Sequence, residues 1–385
     1  MTSLTFSLSR AISRDWQAGD EIIISTFPNL YVLKWQNMLL AGEAKMLKKL
    51  STITTGTLTA VTLLGAAMLT SGDAYAEKVL RFSHTDNPGG SRQAAAEVFA
   101  EKVGEYTEGR YKVRIYPAGQ LANDPKDIEQ LQLGGVDFTV SATGSYATHQ
   151  PSLNLTAMPF LVDTYEQGWE FYDNSAWMKA EFAKLPEKGF RVLSTWEAGF
   201  RSFTTSDPLA SPKDAEGKKM RVYPNDMIRW TMEAIGFQTV VMPITDVYLS
   251  IQQGVVNGQE NPVDTIKSLR FYEVAPNITL TRHVYSPLPL TVSEQTWQSF
   301  SPEDQAAVQK AAIDASAFSR KLVRDSVNGQ IEEMKKAGAT VSVPEIGPFR
   351  DAVQSVYEKA KGIYGDEVEK VLADTAEIRK KLPAN

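Results

Sequence analysis

The chain has no cysteine among its 385 residues, which excludes disulfides, thiolate metal sites and cysteine nucleophiles. Histidine is nearly as scarce. His84, His149 and His283 stand far apart, without the i, i+4 spacing that sets two imidazoles on one zinc-binding helix face. No Gly-x-Ser-x-Gly elbow and no Ser-x-x-Lys motif occurs, and Gly254-Val-Val-Asn-Gly258 lacks the dinucleotide-binding pattern. Basic charge is also in deficit: 40 Lys and Arg face 46 Asp and Glu, a net charge of −6, which disfavours a nucleic-acid partner. No metal and no cofactor is expected from this inventory. The one catalytic alternative left is a carboxylate pair drawn from Glu197, Glu260 and Asp264, as a hydrolase of glycosides uses.

What is present begins with an export signal. Met46-Leu-Lys-Lys-Leu50 is a basic start, an uncharged stretch centred on Leu58–Leu69 follows, and Ala74-Tyr-Ala76 is a small-x-small cleavage site. The apolar part is shorter than the about 20 residues a spanning helix needs. Residues 46–76 are thus expected to be a signal peptide cleaved near Ala76, sending the remainder to the periplasm without membrane insertion. Residues 1–45 show no domain-like pattern and hold one apolar run, Ile22–Ile24. A start assigned too far upstream, with Met46 the true start, is the expectation for them.

The remainder alternates strand and helix patterns, which predicts an α/β fold. Strands are predicted over 79–83, 111–116, 136–141 and 190–196, and helices over 92–106, 125–133 and 167–182. Loops after strand ends collect ligand contacts in such folds. His84–Asn87 and 143–146, with Ser145 in it, are therefore expected at a common cleft, although His84 serves equally well hydrogen-bonded to a neighbour. The strand 190–196 runs on through Glu197-Ala-Gly-Phe-Arg201, and 281–292 does likewise; each reads as a crossing between two domains. Ser301-Pro-Glu-Asp304 opens a long helix to about residue 337, and a helical region covers 348–381.

The strand 217–225 stands at the centre. Lys219, Arg221 and Tyr223 alternate with Met220 and Val222, and Pro224 ends the ladder. A guanidinium between apolar neighbours suits bidentate capture of a carboxylate; an ion pair within the fold satisfies it too. Arg201 lies on a neighbouring strand-like segment and can reach the same anion. Tyr223, Asn225, Asn261 and Trp196 add the hydroxyl, amides and flat face that polyhydroxylated ligands use.

Several motifs carry a resemblance to a known family. They are Gly217-Lys-Lys-Met-Arg-Val222, Pro243-Ile-Thr-Asp-Val-Tyr-Leu-Ser-Ile-Gln-Gln-Gly254 and Val256-Asn-Gly-Gln-Glu-Asn-Pro262, with Phe271-Tyr-Glu-Val274 and Pro117-Ala-Gly-Gln-Leu121. Over nearly all of the chain from Glu77 on, the sequence resembles the DctP-like solute-binding subunit of tripartite ATP-independent periplasmic (TRAP) transporters. The resemblance implies a two-domain periplasmic-binding-protein fold of type II-like form, with an interdomain cleft, crossing strands and a long connecting helix. The expected division is 77–198 plus 287–328 against 199–286 plus 329–385. It implies small and large TRAP membrane subunits as partners and an organic acid as ligand. It assigns the carboxylate-pairing arginine to Arg221, the second to Arg201 and the asparagines to Asn261 and Asn225, with His84, Trp196, Glu197, Tyr223, Ser145 and Asp264 as further site residues. Where many relatives read Arg-Val-Pro-Asn, Tyr223 is inserted here. The segments 83–88, 196–201 and 221–225 look most like members that take hexuronates, which implies glucuronate or galacturonate. A dicarboxylate would favour a second cationic pole, for which Arg92 and His84 are the spare candidates. Another organic acid, or delivery to a sensor kinase, is the alternative.

Overall fold

Leu80 and Phe82 alternate with Val79 and Arg81, and this period-two pattern seeds the first sheet. The computed structural model describes residues 77–384 and the backbone of 21–26 and 29–34. The two upstream strands, β1 (Glu21–Thr26) and β2 (Asn29–Lys34), pair antiparallel, so the apolar run Ile22–Ile24 sits in a strand where no pattern was expected. The expected signal peptide and its cleavage site lie outside the described residues.

Five strands form one sheet: β3 (Lys78–Ser83), β4 (Tyr111–Tyr116), β5 (Phe138–Val140), β6 (Phe190–Trp196) and β12 (Leu288–Ser293), in the order β4-β3-β5-β12-β6. Six form the other: β7 (Phe200–Thr205), β8 (Lys219–Val222), β9 (Gln238–Val241), β10 (Gly258–Pro262), β11 (Asn277–Tyr285) and β13 (Thr340–Ser342), in the order β13-β11-β7-β10-β8-β9. All strands of the first sheet fall within 77–198 and 287–328, and all of the second within 199–286 and 329–385. The chain passes between sheets twice in extended form, from β6 to β7 and from β11 to β12. At the first passage Gly199 has φ +103°, a left-handed conformation that a side chain would strain.

Helices cover both sheets. Those of the first half are α1 (Ser91–Tyr106), α2 (Asp124–Gln132), α3 (Tyr165–Asn174) and α4 (Ala176–Ala183). The sequence predicts one helix over 167–182; Ser175 breaks it, because its extended backbone lets the side chain accept from Met178 N and cap α4. Next come α5 (Asp226–Ile235), α6 (Val247–Gln252), α7 (Val263–Ser268) and α8 (Glu294–Gln298).

The long α9 (Pro302–Lys336) starts with Ser301 accepting from Asp304 N and Pro302 at the first helical position. Its first half binds β6, with Ser316 Oγ donating to Thr195 O at 2.6 Å. Its second half reaches the other sheet's helices, with Lys267 paired to Glu333 at 2.6 Å. One rigid rod thereby touches both lobes.

The chain ends in α10 (Gly347–Ala352), α11 (Gln354–Tyr364) and α12 (Asp366–Lys381). The amphipathic α12 buries Val368, Val371 and Ile378 in one core with Phe171, Trp177 and Met178 of α3 and α4. Trp177 Nε1 donates to Glu367 at 2.7 Å and Arg379 pairs with Asp163 at 3.0 Å. Helix packing therefore divides the chain less cleanly than the strands do.

Candidate functional site

β8 lies between β9 and β10, with Gln259 opposite Arg221 in parallel register, and β10 pairs antiparallel with β7, with Pro262 opposite Arg201. Met220 and Val222 join the core, so Arg221 and Tyr223 project from the other side of the strand. They meet Arg92, Asp124, Ala142 and Ser145 from the first lobe around a pocket of ≈ 500 Å³ of empty space, its mouth included. Asn261, Arg201 and Ser286 complete the polar lining.

The two central arginines differ in charge balance. Arg201 is 3 % exposed and its Nη2 donates to Glu260 Oε1 at 2.7 Å and to Glu260 O at 2.6 Å, while Nε bonds Oε2 of the same carboxylate. His283 Nε2 lies 3.3 Å from Glu260 Oε2. Burial alone would raise the Glu260 carboxyl, but Arg201 and His283 outweigh it and hold it at about 2. Only Nη1 of Arg201 stays toward the pocket, 3.3 Å from Ser286 Oγ. Arg201, the second arginine expected at the ligand, thus has Nε and Nη2 engaged by Glu260.

Arg221 is 2 % exposed, and among the described residues no carboxylate lies within 4.0 Å of it. Its Nε and Nη2 both donate to Met242 O, at 3.0 and 2.9 Å. Burial without a counter-ion pulls this guanidinium down to about 10, only partly offset by Glu260 and Asp124.

Tyr223 lies under the Arg201 guanidinium, 5.1 Å from ring centroid to Cζ, and burial raises its phenol. Its hydroxyl and Asn225 Nδ2 close over Gly144, where a Cβ would come within 2.7 and 2.5 Å of them. Asn261 donates to Gln259 Oε1, which is itself oriented by Gln259 Nε2 donating to Thr204 Oγ1 at 2.7 Å.

Five expected site residues lie outside the pocket lining. Asn225 accepts from Ile228 N at 3.0 Å as the N-cap of α5 and donates to Gly144 O at 3.1 Å, so its amide is committed at both ends. His84 is fully buried, bonded to Gln93 Oε1 at 3.0 Å through Nε2 and accepting from Asp86 N through Nδ1. Burial lowers its pKa and leaves it no cationic pole at neutral pH. Trp196 packs in the core 5.8 Å from Phe82. Glu197 accepts from Trp169 Nε1 and Tyr285 Oη at 2.7 Å each and from Gly199 N, bracing the passage from β6 to β7; burial nonetheless raises its carboxyl to about 7.

Asp264 belongs to a set of bonds that cross between lobes. Ser91 Oγ donates to its Oδ2 and Gln330 Nε2 to its Oδ1 at 2.8 Å, and burial raises its carboxyl. Beside it, Ser268 Oγ donates to Asp86 Oδ1 and Asn87 Nδ2 to Ser268 O at 2.6 Å. The contacts of Asp86, Asn87 and Ser91 join the loop after β3 and the start of α1 to α7 and require the lobes to be together, whereas Gln330 holds Asp264 within its own lobe. Ser268→Ala should therefore speed ligand release about tenfold while leaving capture little changed. Stopped-flow displacement reads this directly, and an unaltered release rate would remove the latch.

Arg92, named from the sequence only as a spare cationic candidate, lines the pocket, and Asp124 and Ser286 are polar lining residues that the sequence did not single out. Asp124 opens α2 at the end of the loop that follows β4, so the strand-end rule, applied there as it was to β3 and β5, points to it.

With the geometry in place, residues 82–362 match DctP, the bacterial extracellular solute-binding proteins of family 7. The chain belongs to this family. A curated relative, the sialic acid-binding periplasmic protein SiaP of Vibrio cholerae, is 29 % identical over 318 residues, 82 % of this chain and 99 % of the relative. The sugar acid binding protein DctPAm of Advenella mimigardefordensis, solved with galactonate, superposes with TM-score 0.76 at 29 % identity, covering 78 % of this chain and 99 % of that one. A TRAP solute-binding protein from Sulfitobacter sp. NAS-14.1 with β-D-galacturonate gives TM-score 0.74 at 31 % identity, covering 78 % and 100 %. This DctP-family chain is thus a TRAP solute-binding protein with the two-lobed periplasmic-binding fold. Such proteins deliver ligands to TRAP membrane subunits. Among the described residues no helix is long and apolar enough to cross a membrane.

Proposed function

We propose that this protein captures a hexuronate, D-galacturonate or D-glucuronate, in the periplasm, reached by cleavage near Ala76, and hands it unchanged to its TRAP small and large membrane subunits. The observation that carries the reading is Arg221, a buried guanidinium on the pocket wall with no carboxylate within 4.0 Å among the described residues. The ligand's carboxylate docks there, with Arg201 Nη1, Tyr223, Asn261 and Ser145 around it.

Charge count favours a single carboxylate. Among the lining residues and the carboxylate bonded to Arg201, three guanidiniums face two carboxylates, Asp124 and Glu260, which leaves one positive charge for a monoanion. Asp124 accepts hydrogen bonds and repels a second carboxylate, so hydroxyl groups suit the rest of the ligand. Relatives solved with galactonate and galacturonate support the class. Capture proceeds by hinge motion of the two sheet-bearing lobes, 77–198 plus 287–328 and 199–286 plus 329–385, about the two strand passages and α9.

Calorimetric titration with D-galacturonate, D-glucuronate, succinate and ectoine tests this. Saturable binding of a uronate with no heat from succinate is the expected outcome. Binding of succinate or ectoine without either uronate overturns it.

A further inference from the structure

Arg92 is the second guanidinium of the pocket without a carboxylate within 4.0 Å among the described residues, and it is 7 % exposed. It sits one residue into α1, on the lobe opposite Arg221. Its one side-chain hydrogen bond runs from Nη1 to Thr85 Oγ1 at 3.3 Å. Thr85 Oγ1 in turn donates to Asp124 Oδ1 at 2.9 Å, and Ser141 Oγ approaches the same oxygen at 3.4 Å. Thr85 is therefore the hub of a short chain whose two ends, a pure donor and a pure acceptor, both line the pocket.

Resting on the sugar-acid reading above, we infer that Arg92, Thr85 and Asp124 form a diol-reading subsite that sets specificity at the end of the ligand remote from its carboxylate. One ligand oxygen accepts from the free N–H groups of Arg92, and the neighbouring hydroxyl donates to Asp124. A vicinal diol or a hemiacetal beside its ring oxygen presents this donor and acceptor pair. A bare methylene chain presents neither. A second carboxylate gains Arg92 but meets the Asp124 charge, so a diacid is held back. Thr85 positions both ends: its hydroxyl uses its one hydrogen on Asp124 and its lone pairs on Arg92, which fixes the order of donor and acceptor.

The lobes thus divide the ligand between them. The second lobe takes the carboxylate on Arg221, and the first lobe reads hydroxyls with Arg92 and Asp124. Arg92 is a specificity residue whose removal alters discrimination, whereas the loss of Arg221 removes binding.

Titration of parent, Arg92→Met, Arg92→Lys and Asp124→Asn proteins with D-galacturonate, D-glycerate and galactarate tests this. The parent is expected to prefer galacturonate over both others. In Arg92→Met the preference for galacturonate over glycerate falls about tenfold, the scale of a lost charge-assisted hydrogen bond. Arg92→Lys keeps the charge without the fork and falls between the two; it also carries the test if the methionine variant does not fold. Asp124→Asn shifts preference toward galactarate. An unchanged galacturonate-to-glycerate ratio in both Arg92 variants overturns the inference, as does an equal loss for both acids. A parent that binds no uronate instead overturns the sugar-acid reading, which separates the two failures.

Discussion

Arg221→Met should weaken uronate binding by about two to three orders of magnitude, because a ligand carboxylate enclosed by the lobes then lacks its charge partner. The same change should leave the unfolding free energy of the empty protein within about 1 kcal/mol of the parent. Two effects oppose each other there. The variant loses two hydrogen bonds to Met242 O, but it also relieves a buried charge that burial holds at about 10. A guanidinium is charged in the unfolded chain at any pH below its ordinary value, so the folding penalty persists across the physiological range. Isothermal titration paired with urea unfolding reads both quantities. Undiminished affinity would show that the carboxylate docks elsewhere, and a large loss of stability would show that Arg221 serves the fold.

Glu260→Gln has the opposite signature. Its carboxylate neutralises Arg201 and faces His283, all three buried, so removing the charge strands a guanidinium and should cost about 3 kcal/mol or more. The Glu260 carboxyl is held at about 2 in the fold against an ordinary 4.5. A depressed acid contributes stability that is fully present above pH 4.5 and is lost as pH falls toward 2. The difference in unfolding free energy between parent and variant should thus be constant from pH 5 to 7 and shrink below pH 4.5. Urea unfolding at pH 7 and pH 3 measures it; a difference of equal size at both values contradicts the ion-pair account. The contrast with Arg221 separates the arginine that holds the fold from the arginine that waits for an anion.

The strands of this fold were legible because period-two alternation survives in them: 111–116 and 190–196 read off the sequence with the bounds they have in space. The first passage between sheets was legible as a strand that runs on through polar residues and Gly199, and the second as a long extended run over 281–292. The position of Arg221 in the pocket was legible too, since apolar Met220 and Val222 fix which side of β8 it leaves by. The commitments of the polar side chains were not. Arg201 and Glu260 are 59 residues apart, and nothing local to either says they pair. Asn225 looked like an amide offered to the ligand, yet an asparagine immediately before a helical run is equally an N-cap, and the backbone N–H of Ile228 claims it. Gly90 takes the N-cap position of α1, and Ser91, one residue ahead of the expected helix start, turns to Asp264 across the cleft. Arg92 was legible only as a spare cation, since tertiary packing alone carries a residue at the start of α1 to the pocket wall.

The most direct test of the account is a crystal structure of the protein with D-galacturonate bound. The carboxylate is expected on the Arg221 guanidinium, in bidentate contact, with the ring hydroxyls toward Arg92 and Asp124. A uronate seated with its hydroxyls on Arg221 and its carboxylate at Arg92, or bound outside this pocket, would contradict it.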